Sequence, residues 1–153
     1  KHWRSIKTFY GKAAEFEAYE KELEFVYEKE WESLCELDIE TTTQMMEWMS
    51  IRTQILRSSQ MQAVGSASEL ILNLCLEVVA TSYLSGIGGK NYLNPEDFKE
   101  AGIELFYLIS LLPEAYPQLF PGSGFINTLS AIDMVMNCGS AWRDFLFAKV
   151  EST

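Results

Sequence analysis

Residues 15–40, EFEAYEKELEFVYEKEWESLCELDIE, restrict this chain more than any other stretch. They hold 11 of its 22 acidic residues against two lysines, Lys21 and Lys29. Phe16, Tyr19, Leu23, Val26, Tyr27, Leu34 and Leu37 recur through them at spacings that keep them on one face of a helix. Glu17, Glu24, Glu28, Glu32 and Glu36 point the other way. The pattern predicts one long helix, over roughly residues 4–37, with a greasy side for a core and a strongly negative side for water. Phe25 is the exception: it falls on the acidic side, where a large aromatic has no core to fill.

The rest of the chain reads as more helix. The Thr-rich segment Asp38–Thr43 suggests a turn, and a second helix follows over about 42–63 with Met45, Trp48, Met49, Ile55 and Leu56 on its apolar face. Ser66-Ala67-Ser68-Glu69 has the form of a capping box and opens a third helix over about 67–85. That helix is apolar nearly all round, so it is expected to be the most enclosed element, with Leu74, Val78 and Leu84 buried. Gly86-Ile87-Gly88-Gly89 reads as its stop. Asn94 and Pro95 are good N-cap and N1 residues for a fourth helix ending at Pro113, with Phe98, Ala101, Leu105, Ile109 and Leu112 inward. Three of the four prolines lie in 113–124, an irregular loop. A last helix over about 125–149 carries Phe125, Leu129, Ile132 and Met136 inward, with Gly139 able to split it. The expected fold is therefore all-α: a single-domain antiparallel bundle of about five helices with a Pro-rich loop before the last. The chain starts at Lys1 rather than Met, which suggests a domain cut from a longer protein.

Composition narrows the function classes. A net charge of −10 argues against nucleic acid, since phosphate contacts require clustered Lys and Arg. The one basic cluster, Lys1, Arg4, Lys7 and Lys12 beside His2, reads as a solvated helix start. The longest apolar run, Leu70–Leu84, is broken by Asn73 and Glu77 and is too short for a membrane span. Cys35, Cys75 and Cys138 form no CxxC pair, so no zinc site is expected, and free thiols fit a cytoplasmic setting.

A single histidine, His2, leaves no basis for His-dependent acid–base chemistry or His-ligated metals. No catalytic residue, metal or cofactor is assigned. The glycine-rich Gly86–Lys90 stretch lacks P-loop spacing and is not read as a phosphate cradle. Two charges stand on faces that otherwise select apolar residues, Glu30 and Arg52. A reversal near residue 41 would bring them level, and Glu77 would approach them from the third helix. The trio is expected to form an interior polar cluster, either an ion pair fixing helix register or a pocket for a small molecule.

The leading expectation is a non-enzymatic interaction module of adaptor, inhibitor or assembly type. It would present Glu17, Glu24, Phe25, Glu28, Glu32 and Glu36 to a basic protein partner, with a homo-oligomer compatible. The alternative is a regulatory bundle binding a small molecule at Glu30, Arg52 and Glu77.

Overall fold

A computed structural model describes residues 2–152, apart from the side chains of residues 110, 111 and 147–149. Lys1, part of the basic cluster above, lies outside the described residues. In chain order the elements are α1 (His2–Tyr10), α2 (Phe16–Glu28), α3 (Leu34–Trp48), α4 (Ala67–Glu77), β1 (Ser82–Gly86), α5 (Pro95–Glu100), β2 (Glu104–Pro113), α6 (Ala131–Cys138) and β3 (Leu146–Ser152), with short 3-10 turns between some of them. The fold is mixed α/β, with a three-stranded mixed sheet in the order β1-β2-β3. The expectation of an all-α bundle is overturned. The chain divides into two compact units, one of residues 1–53 with 112–147, the other of residues 54–111 with 148–153.

In the first unit, α2 buries Phe16, Leu23 and Val26 of the stripe expected from periodicity, whereas Tyr27 and Leu34 are 44% and 71% exposed. Phe16 and Leu23 join Ala13, Trp48, Met49, Val135 and Met136 in one core, onto which Trp3, Ile6, Tyr10 and Tyr19 pack. The long first helix is broken twice. Residues 11–15 form a turn after Gly11, and α2 stops at Glu28. Ser33 then caps α3, its hydroxyl accepting from the Glu36 backbone N–H at 3.2 Å. Ser33-Leu34-Cys35-Glu36 has the Ser-x-x-Glu spacing that opened the third helix in the sequence reading, and it marks the true start of a new helix.

These breaks undo the Glu30–Arg52 pair. Helical angle placed both residues, yet Glu30 lies between α2 and α3, and Arg52 lies in irregular chain beyond the end of α3. Both are exposed and no ion pair joins them. Glu77 belongs to the other unit, where its exposed carboxylate accepts from the backbone N–H groups of Gln62 and Ala63 at 2.7–3.0 Å.

In the second unit the expected third and fourth helices each run into a strand. The α4 helix starts at Ala67 as read, although the Ser66 side chain makes no capping bond. It ends at Glu77, and the chain continues into β1. α5 lasts six residues before Gly102, at φ +73°, turns the chain in a left-handed conformation that L side chains resist. Ile103, Leu105 and Tyr107 are then buried at 3%, 3% and 2% exposure while Glu104 is exposed, the period of two of a strand. β1 and β2 pair in parallel, Ser82 opposite Glu104 and Gly86 opposite Leu108. Cys75, Leu93, Phe98, Ile103, Leu105 and Tyr107 make this unit's core.

α4 is not the enclosed element that its composition suggests. Only Cys75 is buried along it, Leu74 is half-buried, and Val78 and Leu84 are 45% and 54% exposed. The most enclosed helix is α6, which buries Asp133, Met134, Val135 and Met136. It too is shorter than expected. Gly139, at φ +51°, ends it, and the chain passes through a 3-10 turn into β3.

Candidate functional site

The first unit contains a cavity of about 530 Å³. Phe9 and Tyr10 reach it from the end of α1, Asp133 from α6, and Gln118, Leu119, Phe120, Ser123, Gly124, Ile126 and Leu129 from the Pro-rich loop and the segment after it. Its walls are mostly apolar, and its polar groups converge at Asp133, the usual composition of a small-molecule site.

Asp133 stands in the first turn of α6, where an acid opposes the helix dipole favourably. It is unusual in being only 4% exposed. The carboxylate is held by neutral donors. Oδ2 accepts from the Tyr116 hydroxyl at 2.6 Å and from Gln118 Nε2 at 3.0 Å, and Oδ1 accepts from Asn137 Nδ2 at 3.3 Å. The Tyr10 phenol lines the same cavity and feels the Asp133 charge. A carboxylate has about four acceptor positions, of which Tyr116, Gln118 and Asn137 take three, and none of these donors carries a counter-charge.

The same network fixes the loop that forms one wall. Gln118 bonds both backbone groups of Ile126, donating to its carbonyl at 2.9 Å and accepting from its N–H at 3.0 Å. Tyr116 meets Phe125 edge-on, ring centroids 5.1 Å apart. Between these ties Phe120 sits at φ +64°, a left-handed conformation that costs a non-glycine residue about 1–2 kcal/mol and persists only where the surroundings impose it. The protonation of nearby groups follows. Burial, and then the Asp133 charge, push the Tyr10 phenol up to about 12. Burial, then the hydrogen bond to Asp133, raise Tyr116, and burial, then Asp133, raise the Cys138 thiol. At neutral pH both phenols therefore stay protonated and available as donors.

Neither Asp133 nor Tyr10, Tyr116, Gln118 or Asn137 is singled out by the sequence patterns above, although one signal is available. Asp133 and Asn137 are an i,i+4 polar pair inside the apolar run AIDMVMNC. Asp133, like Glu30 and Arg52 a charged residue in an apolar stretch, is the one of the three that the fold buries.

The residues expected to bind a partner lie on more than one element. Glu17, Glu24, Phe25 and Glu28 are on α2, Glu32 is in the following segment and Glu36 is on α3. Glu17, Glu28, Glu32 and Glu36 are exposed, and Phe25 is 56% exposed with the Lys29 ammonium 5.8 Å from its ring. Glu24 is half-buried and accepts from the Trp3 indole at 2.8 Å, so it takes part in packing. Glu30, Arg52 and Glu77 form no cluster. Gly86–Lys90 proves to follow a strand, β1, rather than a helix. Lys90 there is engaged with Glu151 at 2.6 Å and lies over the Tyr107 ring. No group of three or more His, Cys, Asp or Glu able to hold a metal occurs among the described residues. Nor is any helix among them long and apolar enough to cross a membrane.

The chain is thus a mixed α/β protein with a carboxylate-floored cavity in one unit and a parallel strand pair in the other. It belongs to the WbqC-like protein family, which matches residues 1–144. It is also similar to the uncharacterized protein Rv1507c of Mycobacterium tuberculosis, 27% identical over 146 residues that take in 95% of this chain and 62% of that protein. The chain therefore spans about three-fifths of the length of that curated relative. No solved structure matches it.

Proposed function

We propose that this chain is a binding module rather than an enzyme, and that it takes a small, largely apolar molecule in the cavity between Phe9, Tyr10, the 118–129 segment and Asp133. The observation that carries this reading is the presence of four polar side chains, Tyr10, Gln118, Ser123 and Asp133, in a mostly apolar cavity of about 530 Å³, within the usual range for ligand sites. The strained Phe120 and the double tie of Gln118 to Ile126 support it, because they pre-form the wall a ligand would meet and so reduce the ordering cost of binding. We also propose a cytoplasmic setting, which the three free thiols support.

Titration with 2-phenylethanol, followed by backbone amide chemical shifts, tests the reading. Shifts should concentrate at Tyr10, Gln118, Ser123, Gly124 and Asp133 and vanish in Leu129→Trp, which fills the cavity. An absence of saturable shifts, or shifts located elsewhere, would sink it.

A second reading, a basic protein partner on the acidic surface of α2, is favoured by one observation: Phe25 is 56% exposed among exposed glutamates. Association with such a partner should weaken with salt and be lost in the Glu17→Lys, Glu28→Lys double variant. Binding that survives both would leave the acidic surface as a solubility device.

A further inference from the structure

We infer that the ligand of the Tyr10–Asp133 cavity is an organic cation: a primary or quaternary amine carried on an apolar body. The inference rests on the small-molecule reading above and specifies its chemistry.

The starting point is an imbalance of charge. Asp133 is 4% exposed and lines the cavity, yet among the described residues no ion pair is formed with it by a Lys, Arg or His. Its hydrogen-bond partners, Tyr116, Gln118 and Asn137, are all neutral. They replace hydrogen bonds to water but leave a desolvated negative charge, which is costly without a counter-charge. A basic side chain would supply one, and the cavity lining contains none.

The walls point the same way. Phe9, Tyr10 and Phe120 line the cavity, and aromatic faces attract ammonium groups. An anion would meet the carboxylate with nothing to offset the repulsion, in a chain whose net charge is already −10. A neutral polar ligand would gain hydrogen bonds but no charge pairing.

The hydrogen-bond inventory leaves room for such a group. Oδ2 already accepts two good bonds, whereas Oδ1 has the longer contact with Asn137, 3.3 Å. The Tyr10 hydroxyl, which lines the same cavity, can accept a hydrogen bond as well. A primary ammonium has three donors and can satisfy both oxygens.

A matched series on the unmodified protein tests this: 2-phenylethylamine, 2-phenylethanol and phenylacetate at pH 7, measured by calorimetry or amide shifts. The amine should bind at least about tenfold tighter than the alcohol, and phenylacetate should not bind. In Asp133→Asn the amine's advantage over the alcohol should collapse to about threefold or less. Should that variant fail to fold, the three probes on the unmodified protein decide the matter. Amine and alcohol binding equally would overturn the cation inference and leave the cavity reading standing. Binding of neither would overturn both, and a preference for phenylacetate would overturn the charge argument outright.

Discussion

Replacing Tyr116 by Phe removes one oxygen from the Asp133 network and keeps the ring. That hydroxyl donates to Asp133 Oδ2 at 2.6 Å and accepts from Gln118 Nε2 at 3.1 Å. Tyr116 is 6% and Asp133 4% exposed, so water cannot easily take the vacated position. A hydrogen bond to a charged group contributes about 1.5–3 kcal/mol. Gln118 keeps its own 3.0 Å bond to the same oxygen, and the ring contacts with Phe125 and Phe145 survive, so neither full loss of the carboxylate's partners nor a packing defect adds to the cost. Tyr116→Phe should therefore destabilise by about 1.5–3 kcal/mol in urea unfolding. Tyr27→Phe, at a ring that is 44% exposed, should stay within about 0.5 kcal/mol and serves as the control. In an Asp133→Ala background the Tyr116 substitution should cost less than about 0.5 kcal/mol, because the acceptor has gone. A cost below about 0.5 kcal/mol in the unmodified protein, or the same cost in both backgrounds, would refute the claim that the hydroxyl acts through Asp133.

The alkaline limb of stability should report the same network. Tyr10 and Tyr116 are both raised above the ordinary phenol value of 10.0, Tyr10 to about 12, so their contribution is complete below pH 10 and is lost as pH rises through the folded-state values. Tyr10→Phe should flatten the loss of stability between pH 10 and 12 in thermal melts, and an unchanged slope would contradict the assignment. Met136→Ala, at a side chain with 0% exposure, should cost about 2–5 kcal/mol, whereas Leu84→Ala, at 54%, should cost less than about 1; equal costs would argue against this placement of the core. Ser33→Ala should remove about 0.5–2 kcal/mol by deleting the cap of α3, while Ser66→Ala, whose side chain makes no capping bond, should change little. The reverse order in denaturant midpoints would show that the helix starts are held differently.

Local chemistry in the chain determined where several elements begin and which residues of α2 face inward. The Phe16–Leu23–Val26 spacing, Ser66 before Ala67 and Asn94-Pro95 before α5 each need only a few neighbouring residues to act. Helix ends were less legible. Gly102 and Ser33 carried the signals, but apolar residues continue past both, and a continuous apolar run suits a helix and a buried strand equally. What decides for a strand is a partner: Leu84 belongs to a ladder because Phe106, 22 positions on, pairs with it. A run from Ile103 to Leu112 in which nearly every residue is apolar hides its period of two until one face is covered.

The candidate site depends still more on the tertiary fold. Tyr10, Tyr116 and Asp133 come from α1, from the Pro-rich loop and from α6, and no sequence spacing relates them. Desolvation joins them. α6 turns Asp133 inward, the acid then requires donors, and beside Asn137 on the same helix they come from Tyr116 and Gln118 in the Pro-rich loop. Glu30 and Arg52 show the opposite outcome. Their pairing rested on two helices that the chain does not form, and once the backbone breaks at 29–33 and beyond Trp48 both charges reach water and need no partner.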